Sequence, residues 1–208
     1  MATTYSNFVP SEHMSFGSAP KPMESTPHRG TVQLKMPVVQ LGDALMTSTW
    51  GAETWHEDNG KLPLKILVSG EVEAKIREME AHVQSTFEQN RRAWFKKDKS
   101  SFTFKPMLET TDEGTAVKTK VVVRKGASTT KIMLKDANTN KVKPGTIASV
   151  NHGCEVLPYV GSSALWYNTQ ESTYGVALLA KMLVVKPGDG PPLMDFESML
   201  AGAGFECE

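Results

Sequence analysis

The sequence predicts a mainly β fold: about six to eight short strands in a small barrel or sandwich, with one long helix set among them. Three observations carry that reading. Apolar and polar residues alternate with period two near the N-terminus and again through the second half of the chain. Gly, Pro, Asn and Asp clusters punctuate those runs at short intervals. Helical periodicity occurs over a single stretch, so there is no strand–helix alternation and a doubly wound parallel sheet is disfavoured.

In chain order, residues 1–29 are rich in Ser, Pro, Thr and Met without periodicity, and predict a mobile N-terminal arm. Residues 31–37 alternate, a strand ended by Pro37. Residues 42–61 read as loop although they carry Trp50 and Trp55, and 62–68 read as a second strand. Val72, Ile76, Met79, Val83, Phe87 and Trp94 then recur on one face of a helix over about 70–97. Ser69 is placed to cap it. Glu71 and Glu73 occupy the first turn and Arg91, Arg92, Lys96 and Lys97 the last, an order that suits the helix dipole.

After the helix, Phe102 and Phe104 share a face. Over 117–124, Val117, Val121 and Val123 point one way and Lys118, Lys120 and Arg124 the other. Lys131 and Lys135 flank Ile132-Met133-Leu134 and share a face. Turns at 136–140 and Pro144-Gly145 lead to strands over 146–150, 154–160, 164–167 and 174–185, the last apolar enough to run through the middle of the core. From Pro187 the chain is Gly/Pro-rich and acidic. The organisation expected is an arm (1–29), one domain (30–186) and an acidic tail (187–208).

The net charge is zero, yet the signs are segregated. From Arg91 to Lys143 there are 14 basic and 5 acidic residues; from Pro144 to Glu208 there are 2 basic and 7 acidic. A basic middle interleaved with aromatics suits a polyanionic partner. The longest wholly apolar run, 176–180, is far short of the ~20 residues a membrane span needs. The N-terminus lacks the charged and apolar regions of a signal peptide, and Cys154 and Cys207 make no disulfide framework. An intracellular setting is expected.

Enzyme motifs are missing: no phosphate-binding GxxxxGK[ST], no HExxH, no GxSxG and no CxxC. His152-Gly153-Cys154 has no second pair to complete a metal site, and His56-Glu57-Asp58 reads as solvated surface. No catalytic residue, metal or cofactor is expected.

Binding of single-stranded nucleic acid calls for cations along the backbone path and flat rings on which bases stack. The phosphate candidates are Arg91, Arg92, Lys96, Lys97, Lys105, Lys118, Lys120, Arg124, Lys131 and Lys135. The stacking candidates are Trp94, Phe102, Phe104, Tyr159, Trp166, Tyr167 and Tyr174. Trp94, at the end of the helix stripe, fits the core better than a binding face; Phe102 and Phe104 fit either. Trp166 and Tyr167 are adjacent in a strand, so only one of them points inward. Gly175 leaves space beside them for a backbone or a base. In the tail, Asp195, Phe196, Glu197, Phe205 and Glu206 mix acids with phenylalanine, as a docking peptide or a competitor for a basic groove would.

In order and spacing, residues 30–186 resemble the single-stranded DNA-binding proteins of DNA viruses, of the T7-type phage kind and more loosely those of large eukaryotic DNA viruses. The residues that carry the likeness are Lys131-Ile132-Met133-Leu134-Lys135-Asp136, Gly145-Thr146-Ile147-Ala148-Ser149-Val150, Val156-Leu157-Pro158-Tyr159, Leu165-Trp166-Tyr167-Asn168 and the run 174–185. Asn90-Arg91-Arg92-Ala93-Trp94-Phe95 followed by Phe102-Thr103-Phe104-Lys105-Pro106 is similar to the large-virus group. The resemblance implies an OB-fold barrel with an inserted helix, a cationic groove and an acidic tail. It matches Trp166 and Tyr167 to a base-stacking hairpin, and Lys118, Lys120, Arg124, Lys131 and Lys135 to basic strands. The tail departs from the pattern, with five acids after Lys186 and its last aromatic, Phe205, three residues short of the end.

The expectation is a non-enzymatic, sequence-independent single-stranded DNA-binding protein of viral replication or recombination. Its partners would be single-stranded DNA, replication proteins such as a polymerase or helicase–primase met through the tail, and a second copy in a homodimer, with no membrane. The alternatives are a structural or protein-interaction β domain such as a virion component, and single-stranded RNA binding.

Overall fold

The computed structural model of the chain describes residues 2–52, 60–95, 101–124, 127–136 and 141–190. The expectations placed on Lys96, Lys97 and the tail residues Asp195, Phe196, Glu197, Phe205 and Glu206 lie outside the described residues, as does the side chain of Arg124. Strands β1 (Thr3–Thr4) and β2 (Ser15–Pro22) flank a short helix, α1 (Pro10–His13). Strands β3 (Arg29–Lys35), β4 (Val39–Gln40), β5 (Met46–Ala52) and β6 (Lys61–Leu67) precede the long helix α2 (Gly70–Trp94). Then come β7 (Thr103–Lys105), β8 (Leu108–Thr111), β9 (Gly114–Arg124), β10 (Ala127–Ser128), β11 (Lys131–Lys135) and β12 (Val142–Pro144). The last strands are β13 (Glu155–Gly161), β14 (Ala164–Asn168), β15 (Thr173–Val176) and β16 (Leu178–Lys186).

Five of these strands pair in a ring. β5 pairs β6 and β6 pairs β9, both antiparallel; β9 runs parallel to β16; β16 is antiparallel to β13, and β13 returns to β5. Period-two alternation turns one face of each strand inward, β16 changing parity where its register with β13 shifts: Leu62, Leu64 and Ile66 from β6, Val117 and Val121 from β9, Val156 and Val160 from β13, and Leu178, Ala180, Leu183 and Val185 from β16 are buried. β16 is the central strand, bonded to β13 on one side and to β9 and then β11 on the other. The fold is thus mainly β and OB-like, with one long helix between β6 and β9.

A second sheet, in the order β2-β3-β14-β15-β7, stands beside the ring. Its inner face and the C-terminal half of α2 close on an aromatic cluster. Phe87 stacks on Tyr174 at 3.6 Å between ring centroids and meets Phe102 and Trp94 edge-on, while Phe95 meets Tyr167 edge-on at 4.9 Å. Midway along α2, the buried carboxylate of Glu80 accepts the backbone N–H groups of Met107 and Leu108, at 2.6 and 3.0 Å. That contact ties the β7–β8 link to the helix. Ser69 precedes α2 as expected, but its hydroxyl makes no cap bond.

Four sequence expectations are corrected. The N-terminal residues are part of the fold rather than a mobile arm: β1 pairs β4, β2 pairs β3, and Tyr5, Phe8 and Met14 are buried. Their apolar residues pack singly, so no local period announces them. Residues read as loop contain β5, a ring strand in which Ser48 and Thr49 are buried, and buried polar residues erase the alternation. Residues 147–149 form a 3-10 turn, not a strand. The apolar run 174–185 is two strands in different sheets, β15 and β16, broken at Ala177. Among the described residues no helix is long and apolar enough to cross a membrane.

Candidate nucleic-acid interface

The hairpin β14–β15 has two faces with opposite characters. On the inner face, Gly30, Tyr167, Tyr174 and Phe104 lie in register across β3, β14, β15 and β7, under α2. On the outer face the register row is Lys21, Thr31, Trp166, Gly175 and Lys105, across β2, β3, β14, β15 and β7. Residues directly opposite each other share a face. The one indole on this row is therefore bracketed by a lysine two strands away on either side, about 10 Å in each direction. Arg29, two residues before Thr31, belongs to the same face. At the hairpin tip, the Asn168 side-chain oxygen accepts the N–H groups of Gln170 and Glu171, and Glu171 comes to 3.9 Å from Arg29.

The ring strands supply the opposite wall. With Leu62, Leu64 and Ile66 turned inward, Lys61, Pro63 and Lys65 of β6 face out. The β6–β9 register sets Pro63 beside Lys120 and Lys65 beside Lys118. Between this wall and the outer face of the second sheet is a cleft of about 660 Å³. Arg29, Lys61, Lys65, Lys105, Lys118 and Lys120 line it, with Trp166 and the apolar side chains of Met23, Pro63, Pro106 and Met107. Among the described residues, Glu171 pairs with Arg29 and Glu109 accepts from Lys65 at 3.1 Å, which tempers the charge. Both pairs are partly solvated and weak, so either cation can trade its carboxylate for a phosphate at little cost.

Of the stacking candidates, Trp166 faces the cleft and is half-buried, while its neighbour Tyr167 points inward. Trp94, Phe102, Tyr167 and Tyr174 are 2–9% exposed and belong to the aromatic cluster, so they have no ring face to offer a base. Phe104 packs against the same cluster. Burial pushes the Tyr167 phenol above its ordinary range. It pushes Tyr174 up to about 12, with the nearby Glu88 adding to the shift. Tyr159 is half-buried on the outer wall of β13, away from the cleft.

Of the phosphate candidates, Lys105, Lys118 and Lys120 come together in the cleft. Arg91 lies 3.3 Å from Glu88 on α2, and Arg92 is exposed at the helix end; neither lines the cleft. Lys131 and Lys135 sit on β11, which joins the far half of β16, and do not line it either. Sequence reasoning missed Arg29, Lys61 and Lys65. The same period-two signal that picks out Lys118 and Lys120 also sets Lys61 and Lys65 against Leu62, Leu64 and Ile66. Arg29 has no local signal, because only the β3–β14 pairing brings it near Trp166.

No protein-family model and no curated protein matches the sequence. Among solved structures, the chain is similar to the single-stranded DNA-binding protein from bacteriophage Enc34. Against its C-terminal truncation the TM-score is 0.38 at 9% identity, covering 83% of this chain and 97% of that one. Against the same phage protein in complex with ssDNA the TM-score is 0.38 at 12% identity, with the same coverage. Similarity this weak fixes neither a family nor a site.

Proposed function

We propose that this chain binds single-stranded DNA without sequence preference, in the cleft between β6/β9 and the β14–β15 hairpin. The observation that carries the reading is the company Trp166 keeps: a half-buried indole facing a cleft that, among the described residues, six cations line. Cations that follow a backbone, together with a ring that any base can stack on, make up single-strand recognition that is blind to sequence. The ring topology supports the same reading. Taken in chain order, the ring strands pair first–second–third–fifth–fourth–first, with the third and fifth parallel, which is OB connectivity. In OB-folds the second and third strands and the loop between the fourth and fifth bind oligonucleotides. Here those parts are β6, β9 and the segment that holds β14 and β15. The cleft offers hydrogen-bond donors for phosphate and an apolar floor for bases. Coating single strands exposed during replication or recombination of viral DNA is the role such binding would serve.

The test is a fluorescence titration of the whole chain with oligo-dT, oligo-U and duplex DNA at two salt concentrations. Saturable tryptophan quenching by oligo-dT, stronger than for duplex, is expected. Trp166→Phe should remove most of the quenching, and Trp166→Ala should weaken binding about 5- to 150-fold, the range for one lost stack. Absence of saturable binding to oligo-dT would refute the reading, and tighter binding to oligo-U would move it to RNA.

A further inference from the structure

The indole of Trp166 lies where a side chain is missing. Gly175 stands directly across from Trp166 in the β14–β15 ladder. A Cβ at position 175 would fall 2.8 Å from Trp166 Cζ2, 3.1 Å from Cε2 and 3.0 Å from the carbonyl oxygen of Lys105. The ring therefore lies across the bare backbone of Gly175, with one face on the sheet, and its other face is the one the cleft receives. Glycine weakens a strand interior, and its backbone here is outside the left-handed region that would demand it. What position 175 requires is space. The same arrangement occurs one residue on and on the opposite face. Gly30 is paired with Tyr167, and the Tyr167 hydroxyl and the Lys21 carbonyl occupy the place its Cβ would take. Adjacent rings on β14 thus each lie over a glycine, Tyr167 towards the core and Trp166 towards the cleft.

We propose that Gly175 is a positioning residue of the single-strand site. It is the floor that lays Trp166 flat, so that one base stacks on the open face while Lys105, its own cross-strand neighbour, takes an adjacent phosphate. This assignment rests on the single-strand reading above. A side chain at 175 displaces the ring first, since its nearest contact is Trp166 Cζ2 at 2.8 Å, while the Lys105 carbonyl at 3.0 Å need yield by only a few tenths of an ångström. The ring must lift, and a lifted indole no longer presents a flat face between Lys105 and Lys21.

The experiment compares wild type, Gly175→Ala, Trp166→Leu and the double variant, as whole chains titrated with oligo-dT at two salt concentrations. Gly175→Ala should bind about 5- to 150-fold more weakly and lose most of the quenching, the cost of one base stack. Its salt dependence should match wild type, because no cation is removed. A merely structural glycine would not produce that split. Once Trp166 is leucine, Gly175→Ala should cost nothing further, a non-additivity that marks a shared role. This second comparison decides the matter even if Gly175→Ala alone fails to fold. Wild-type affinity and quenching in Gly175→Ala, or an additive loss in the double variant, would overturn the assignment. Failure of wild type to bind oligo-dT would instead overturn the single-strand reading and this assignment with it.

Discussion

Replacing Lys118 and Lys120 together with alanine removes two of the six cations that line the cleft among the described residues, both from the outer face of β9. On a single strand, log K falls with log salt by about 0.7 for each phosphate neutralised. Six contacts give a slope of about −4.2 and four give about −2.8. From about 50 to about 200 mM salt, wild-type affinity for oligo-dT should then fall about 300-fold and that of the double variant about 50-fold. The absolute slope shrinks if Arg29 and Lys65 keep their carboxylates, because those positions then release fewer counterions. The difference of about 1.4 between the two proteins is what Lys118 and Lys120 contribute when both contact phosphate. Tryptophan quenching by oligo-dT across a salt series measures both slopes. The informative control is Lys131→Ala with Lys135→Ala, which removes as much charge from β11, outside the cleft. An unchanged slope in the β9 variant, or an equal change in the β11 variant, would refute the cleft as the phosphate path.

Three further outcomes follow from the packing. Phe8→Ala should cost about 3–5 kcal/mol in denaturant unfolding, because Phe8 is fully buried; a mobile arm would tolerate the change within about 0.5 kcal/mol. Glu80→Ala should cost about 2–4 kcal/mol by stranding the Met107 and Leu108 N–H groups, while the salt slope of binding stays put; a neutral change would show that water replaces the carboxylate. Stability should also decline in alkali. Burial raises the Cys154 thiol from 9.0 to about 11, so its contribution is whole below pH 9.0 and is lost as pH climbs to about 11, about 3 kcal/mol at most. Tyr174, raised from 10.0 to about 12, extends the decline upward. A urea midpoint that stays level to about pH 11, or a decline that Cys154→Ala does not reduce in the lower part of that range, would contradict this sign and its assignment.

What was legible in the sequence was the set of faces. Period two separated Lys118 and Lys120 from Val117 and Val121, and forced Trp166 and Tyr167 to opposite sides of one strand; period 3.6 marked the buried stripe of α2 from Val72 to Trp94. Those alternations are local and need no knowledge of partners. Which face meets which was not legible, because pairing register is a long-range property. Only the β6–β9 register sets Lys61 and Lys65 beside the β9 lysines, and only the β3–β14 pairing carries Arg29 and Thr31 to Trp166. The aromatic residues show the limit most clearly. Phe102, Tyr167 and Tyr174 look in sequence like a stacking surface, yet Phe87 of α2 covers Phe102 and Tyr174 and Phe95 at its end covers Tyr167, and burying large rings against one another outweighs leaving them for a ligand. Sequence by itself determined a β-rich chain with one amphipathic helix and cationic strand faces, since side-chain direction follows from backbone period. Tertiary structure alone decided that the Trp166 indole stays open to the cleft, because that outcome depends on a glycine across the ladder and a helix laid over the opposite face.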